Sequence, residues 1–102
     1  MSEFVYQAEV KIKNADGLHM RPAMQFVDVA SGFKSKITII KNSMEVDGKS
    51  IMQVSMLAAT YGTILKIKAE GPDAAGAIDA IRDLVEVKLF GEPPPADNSL
   101  KK

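Results

Sequence analysis

The sequence predicts an α+β fold, an open-faced sandwich in which a four-stranded antiparallel sheet is covered on one face by three helices. Four short segments alternate apolar and polar residues, which is typical of strands with one buried and one wet face. Three further segments carry apolar residues at helical spacing, and the combined order is β-α-β-β-α-β-α. Because each strand has one polar face, we expect all three helices on the other face.

Composition restricts the functions that are possible. A chain of 102 residues supports one core without a cleft between two lobes. Its 13 basic and 13 acidic residues give a net charge of zero, so no general attraction to nucleic acid is expected. There is no cysteine, and no apolar run reaches the length of a membrane span. These features predict a cytoplasmic protein that neither binds nucleic acid nor inserts into a membrane, and we expect it to be a monomer.

The first strand and the first helix are both clear in the pattern. The strand is predicted over residues 5–13, and the loop at residues 14–17 ends it. The helix is expected to begin around Pro22 and to end at Gly32. Its buried stripe consists of Ala23, Phe26, Val27 and Ala30.

A hairpin and a short helix follow. Strands are predicted over residues 35–41 and 44–47, with a turn at Asn42-Ser43. In the helix, Ser50 and Gln53 have the spacing of a capping box. Gly62 is expected to end this helix, and its core-facing residues would be Ile51, Val54 and Ala58.

The last strand and helix complete the predicted domain, which covers residues 1–90. The strand alternates Leu65, Ile67 and Ala69 with charged residues, and Gly71-Pro72-Asp73 begins the helix. That helix buries a broad stripe made of Ala74, Ala77, Ile78, Ile81, Leu84 and Val85. Residues 91–102 contain three consecutive prolines and no periodicity, so a flexible C-terminal tail is expected there.

His19 is the single histidine of the chain and the main candidate for chemistry. A neutral imidazole is a good nucleophile near physiological pH. Gly17 marks a turn before it and Pro22 marks the first helical turn after it, so the ring lies beside the free N–H groups of Met20 and Arg21. Arg21 adds a permanent cation. This combination indicates phosphoryl transfer, whereas the plainer alternative is a capping histidine beside a solvated arginine.

Four methionines indicate a surface for partners. Met20 with Met24, and Met52 with Met56, form two pairs at i, i+4 spacing, off the centre of the buried stripes. Methionine suits a surface that must accept several partners, although the edge of an ordinary core is the alternative. We define the methionine patch as these four residues with Lys49 and Ile51.

Two segments resemble those of a known family. The run Gly17-Leu18-His19-Met20-Arg21-Pro22-Ala23 and the later run Lys49-Ser50-Ile51-Met52 are similar to the two signature segments of HPr, the histidine-containing phosphocarriers of the bacterial phosphotransferase system. The resemblance covers roughly residues 5–90, including the order of strands and helices.

The resemblance implies a set of roles and partners. His19 would accept a phosphoryl group from phosphorylated enzyme I, which takes it from phosphoenolpyruvate, and would pass it to enzyme IIA domains in sugar transport. Arg21 would compensate the phosphate charge, and Ser50 would be a regulatory site for HPr kinase/phosphorylase. The carrier itself would bind no metal and no organic cofactor, and it would serve as a phosphohistidine intermediate rather than a stand-alone enzyme.

Some positions depart from the family pattern, and two other functions stay open. Asp28 and Ser31 stand where many relatives carry lysines, and Ala58 stands where glycine is common. One alternative is a regulatory module that docks to a transcriptional regulator or an enzyme after phosphorylation of Ser50, with His19 little used. Another is a structural α+β domain that is phosphorylated at neither residue. Ser50 also has a purely structural explanation, since serine caps helices well.

Overall fold

The computed structural model describes residues 4–96, which form a sheet covered by helices. The strands are β1 (Val5–Lys11), β2 (Lys36–Lys41), β3 (Met44–Asp47) and β4 (Ile64–Glu70). The helices are α1 (Met20–Ser31), α2 (Ile51–Ser55) and α3 (Ala74–Arg82). The predicted fold class and element order are thus confirmed. In the described part of the chain, no helix has both the length and the apolar character needed to cross a membrane.

The sheet is antiparallel throughout, with the strand order β1-β4-β2-β3. Its register lines up one apolar row across all four strands, formed by Ala8, Ile67, Ile39 and Val46. Because side chains alternate between the two faces, this register places the apolar residues of every strand on the side that the helices cover. The alternation read from the sequence is therefore the feature that fixes the sheet.

The helices bury the stripes that the sequence predicts. In α1, Ala23, Phe26 and Ala30 are fully buried, whereas Val27 is only half-buried. Gly32 caps the helix with an N–H that donates to the Val29 carbonyl at 3.1 Å. The stripe of α3 is also confirmed, with Leu84 only half-buried. Burial of one large aliphatic or aromatic side chain stabilises a fold by about 1.5–3 kcal/mol, so these stripes hold the helices on the sheet.

The prediction for α2 is wrong at its C-terminal end. The helix ends at Ser55, well before Gly62, and Ala58 is exposed with φ +49°. Leu57 is buried in its place, and its carbonyl accepts a hydrogen bond from Lys41 Nζ at 2.8 Å. Helical spacing places core residues correctly only while the chain stays helical, and here the chain turns back toward β4 after one and a half turns.

The end of α3 has a shape that the sequence does not predict. The helix widens into a π-helical turn at Asp83–Val87, where the Lys88 N–H donates to the Asp83 carbonyl at 2.9 Å. A 3₁₀ turn at Leu89–Gly91 follows, and all three of its residues have positive φ. Phe90 is 1% exposed, so it anchors this turn in the core. The chain leaves the anchor close to the loop that precedes α1.

Candidate functional site

His19 is the N-cap residue of α1, and its ring is accessible to solvent. Its backbone is extended, its side chain makes no capping hydrogen bond, and the side chain is 43% exposed. The His19 carbonyl accepts the N–H of Ala23 at 2.9 Å, which is the first bond of the helix. The ring therefore stands at the start of a 12-residue helix.

Gly17 fixes the loop that carries His19. Its φ is +73°, and a Cβ atom there would lie 2.6 Å from the Ala59 carbonyl oxygen. The next residue, Leu18, is buried and donates its N–H to that same carbonyl at 2.8 Å. Only glycine combines this backbone conformation with so close an approach. The turn predicted at Gly17 is thus a rigid junction that holds His19 in place.

The beginning of α1 offers unused backbone donors. Among residues 4–96, the N–H groups of Met20 and Arg21 have no hydrogen-bond acceptor, and Pro22 has no N–H. Such groups carry the positive end of the helix dipole. The arrangement next to His19 can therefore receive an anion, as the sequence pattern indicates.

A carboxylate that the sequence analysis missed completes the site. The Glu92 side chain is 5% exposed, and its Oε2 accepts hydrogen bonds from His19 Nε2 at 2.9 Å and from Arg21 Nη2 at 2.8 Å. Its Oε1 accepts from the buried Asn14 Nδ2 at 2.9 Å. Burial opposes ionisation of Glu92, but the hydrogen bonds from Asn14 and His19 and the charges of His19 and Arg21 prevail and lower its pKa.

The segment after Phe90 is tied to the domain where the sequence predicts a flexible tail. The Glu92 N–H donates to the Leu89 carbonyl at 2.9 Å, and the Pro93 carbonyl accepts the N–H of Ala15 at 3.0 Å. Glu92 is therefore held at the site by the backbone on both sides. Residues 97–102 lie outside the described part of the chain, and the flexibility of the remaining tail stays a prediction.

The contacts of Glu92 disfavour a metal ion at this site. Asp16, His19 and Glu92 each offer a ligand atom, and these atoms lie within 4.8 Å of one another. However, both Glu92 oxygens already accept hydrogen bonds, and the Arg21 guanidinium lies 2.8 Å from one of them. A metal ion would have to displace these donors and approach a fixed positive charge.

The four methionines of the methionine patch are exposed, as the sequence indicates. Met20 and Met24 are 56% and 52% exposed on α1, while Met52 and Met56 are 76% and 65% exposed on and just after α2. The other two members are less free. Ile51 is half-buried, and Lys49 Nζ donates to the Phe33 carbonyl at 2.6 Å, so its ammonium group is held against the fold.

Ser50 is the N-cap residue of α2, and only half of the predicted capping box forms. Its Oγ accepts the N–H of Gln53 at 3.3 Å. The Gln53 side chain reaches past Ser50 and accepts the N–H of Asp47 at 2.9 Å. Ser50 is half-buried and directly precedes Ile51 and Met52 of the methionine patch.

Comparisons with known proteins point in one direction. A family model described as the phosphorylation site of the HPr component of the phosphotransferase system matches residues 6–87. Phosphocarrier protein HPr of Neisseria meningitidis serogroup A is 43% identical over 83 residues, which cover 81% of this chain and 92% of the relative. HPr of Treponema pallidum is 42% identical over 83 residues, with 81% and 94% covered. A crystal structure of HPr from Thermoanaerobacter tengcongensis matches with a TM-score of 0.81 and 44% identity, over 85% of this chain and 97% of that one.

The matched residues contain both predicted signature segments. They also contain every strand and helix, except for the first residue of β1 and the final 3₁₀ turn. Within them, one accessible histidine stands between a left-handed glycine turn and a helix start that can hold an anion. With this extent of similarity in sequence and in fold, the chain belongs to the HPr family, the phosphocarriers of the phosphotransferase system.

Proposed function

We propose that His19 carries the phosphoryl group, accepting it from phosphorylated enzyme I and passing it to a histidine of an enzyme IIA domain. The observation that best supports this role is the position of the ring, 43% exposed at the N-cap of α1 with Arg21 alongside. A ring nitrogen must be accessible to attack the phosphorus atom, and the phosphorylated product needs hydrogen-bond donors close by. In this role the protein is a monomeric cytoplasmic carrier whose histidine is phosphorylated and then dephosphorylated in each cycle, rather than a stand-alone enzyme.

The local charges suit an intermediate that must be released again. A phosphoryl dianion next to His19 gains about 0.3–1 kcal/mol from the start of an exposed helix. A charge-assisted hydrogen bond from Arg21 adds about 1.5–3 kcal/mol. These terms are modest, and that favours onward transfer over trapping. No covalent cofactor is needed, because the imidazole is both nucleophile and leaving group.

Mass spectrometry of the intact chain tests this function. Incubated with enzyme I and phosphoenolpyruvate, the protein should gain one phosphoryl group that is lost in acid. His19→Ala should abolish the gain, while Ser50→Ala serves as the matched control and should retain it. A wild-type chain that stays unmodified would rule out the carrier role.

The methionine patch is the surface that we assign to partner docking. Two of its residues, Met24 and Ile51, line a depression of about 300 Å³ together with Val27 and Asp28. Asp28 supplies a negative charge where many relatives are expected to carry lysine, so docking here depends more on apolar contact than on attraction to acidic partners. The flexible thioether side chains can adapt to enzyme I and to enzyme IIA domains in turn.

Ser50 is the proposed regulatory residue. Ser50 directly precedes Ile51 and Met52 in the chain, and both belong to the methionine patch. A phosphate on the Ser50 hydroxyl would therefore add negative charge to an apolar docking surface. The Gln53 N–H that the Ser50 hydroxyl now accepts could bind a phosphate oxygen instead, and the fold would be kept. Phosphorylation by HPr kinase/phosphorylase would therefore block docking without unfolding the domain.

The regulatory module is the second candidate, and it is supported by the accessibility of the same surface. It predicts that ATP and the kinase label Ser50 and create binding to a transcriptional regulator, while enzyme I leaves His19 unmodified. Ser50→Ala should remove the label from ATP, and His19→Ala should not. Labelling of both residues in separate reactions would favour the carrier with a regulatory switch.

A further inference from the structure

We infer that Glu92 is a positioning residue of the phosphoryl site, which holds His19 as the tautomer protonated on Nε2 and so presents Nδ1 as the nucleophile. This inference rests on the proposed role of His19. Glu92 lies five residues beyond the segment that matches the family model, which ends at residue 87. The match to the family model therefore says nothing about it, and the inference depends on contacts within this chain.

The tautomer follows from the chemistry of the two partners. An ionised carboxylate can only accept hydrogen bonds. Glu92 Oε2 lies 2.9 Å from His19 Nε2 and Oε1 lies 3.1 Å from it, so Nε2 carries the proton and donates it to the carboxylate. Among residues 4–96, Nδ1 has no hydrogen-bond partner, so its lone pair is free.

The same contact assists the transfer step. The Nδ1 lone pair forms a bond to phosphorus while the bond from phosphorus to the donor breaks, and that electron pair leaves with the donor. The ring, which keeps its Nε2 proton, becomes positively charged. The Glu92 carboxylate faces the charged edge of the ring and stabilises it, as the carboxylate of a catalytic triad stabilises an imidazolium. When the group moves on, the ring returns to its neutral state with the proton still on Nε2.

Contacts on both sides of Glu92 in the chain hold its carboxylate in place. Phe90 is buried in a left-handed conformation, with φ +57°, just before the acid. A non-glycine residue in that conformation costs of order 1–3 kcal/mol, so the surrounding packing must hold it. The Pro93 carbonyl is bound to the Ala15 N–H on the other side, and Asn14 donates to Glu92 from within the loop that leads to His19. A solvated acid on a free tail would need none of these restraints.

Nitrogen NMR of the His19 ring tests the tautomer directly. With the ring neutral, wild-type protein should show one tautomer with the proton on Nε2, and Glu92→Gln should show a mixture. Glu45→Gln makes the same chemical change on the exposed edge strand β3 and should resemble wild type. A mixture in the wild-type protein would overturn the inference, as would a single tautomer in the Glu92 variant.

Kinetics of phosphorylation by enzyme I give the second readout. Glu92→Gln should lower kcat by about tenfold, equivalent to about 1.4 kcal/mol, and leave KM for enzyme I unchanged. A rise in KM alone would assign Glu92 to docking, and equal kcat in both proteins would also contradict the inference. Thermal unfolding of each variant excludes loss of fold as the cause. If the wild-type protein accepts no phosphoryl group, the proposed function of His19 is wrong. If the wild type is phosphorylated and Glu92→Gln is phosphorylated at the same rate, only the positioning role of Glu92 is wrong.

Discussion

Ala58 occupies the left-handed region of backbone space, with φ +49°, in the turn between α2 and β4. This conformation costs a residue with a Cβ atom about 1–2 kcal/mol, and glycine adopts it freely. Glycine also loses more entropy on folding, which offsets about 0.4–1 kcal/mol of the gain. The position is exposed, so little packing depends on the methyl group.

We therefore expect Ala58→Gly to stabilise the protein by roughly 0.5–1 kcal/mol and to raise the Tm by a few degrees. Ala75→Gly is the matched control, since Ala75 is exposed within α3 and should lose about 0.5–1 kcal/mol on the same change. Calorimetry of both variants measures the difference. Destabilisation by both substitutions alike would show that the turn stores no strain.

For single residues, the sequence predicts the site residues that are neighbours in the chain and misses those that reach the site from far away in sequence. His19 and Arg21 lie within residues 17–23, where the glycine predicts a turn and the proline predicts the start of a helix. Glu92 reaches the same site from 73 residues away, and Asn14 meets it across 78 residues. No spacing rule connects such positions. The three prolines after Glu92 are typical of a flexible tail, so they argue against an ordered carboxylate there. The acidic residue itself, directly after Phe90-Gly91, is the only sign of this contact in the sequence.

Among the secondary-structure elements, α1 and α2 contact each other and bring the exposed methionines to one side of the molecule. Since Met52 is 76% exposed, Met52→Asp should leave the fold intact. A charge in the centre of an apolar contact must be desolvated on binding, so we expect KM for enzyme I to rise by roughly tenfold or more. Steady-state phosphorylation kinetics measure this effect.

The control for this change is Met44→Asp, which places the same charge on the edge strand β3, where the side chain is 44% exposed. Its phosphorylation kinetics should match those of wild type. Unchanged kinetics in the Met52 variant, with the protein folded, would contradict docking at the methionine patch.

Elements with strong periodicity were predictable, and their irregular ends were not. The alternation in β4 and the stripe of α3 gave both the element and its buried face. The short α2 stops after five residues, and the chain turns back through Ala58 in the left-handed region. Leu57 lies three residues after the buried Val54, so helical spacing predicts its burial, but nothing in that spacing marks where the helix ends. The π-helical turn that extends α3 likewise has no sequence signature.

For the molecule as a whole, Asp73 joins two parts of the chain that are far apart in sequence. At the start of α3, its carboxylate accepts hydrogen bonds from the Ser35 hydroxyl at 2.6 Å, the Lys34 N–H at 2.8 Å and the Ser35 N–H at 2.9 Å. The Ser35 hydroxyl and the Lys34 N–H lower the pKa of Asp73 from 3.8 to about 2. The folded state thus binds a proton at this group less readily than the unfolded state does.

A carboxyl group whose pKa is lowered by folding stabilises the protein above its unfolded pKa. That stabilisation is lost as the pH falls from about 3.8 to about 2. We expect Asp73→Asn to lower the urea midpoint at neutral pH, and the difference from wild type to shrink over this acid range. Urea unfolding of both proteins across the range measures it. A difference that is constant with pH would show that the charge of Asp73 contributes nothing.

The bond between Pro93 and Ala15 has a practical consequence for anyone who shortens this protein. A chain that stops at residue 87, where the match to the family model ends, would keep each strand and all three helices. It would nevertheless lose the Phe90 anchor, the carboxylate beside the imidazole and the clasp that holds them. Because Phe90 is a fully buried core side chain, such a shortened domain should unfold at a lower temperature than the parent. If Glu92 has the role we infer, it should also accept a phosphoryl group more slowly, so its rates would not describe the longer chain.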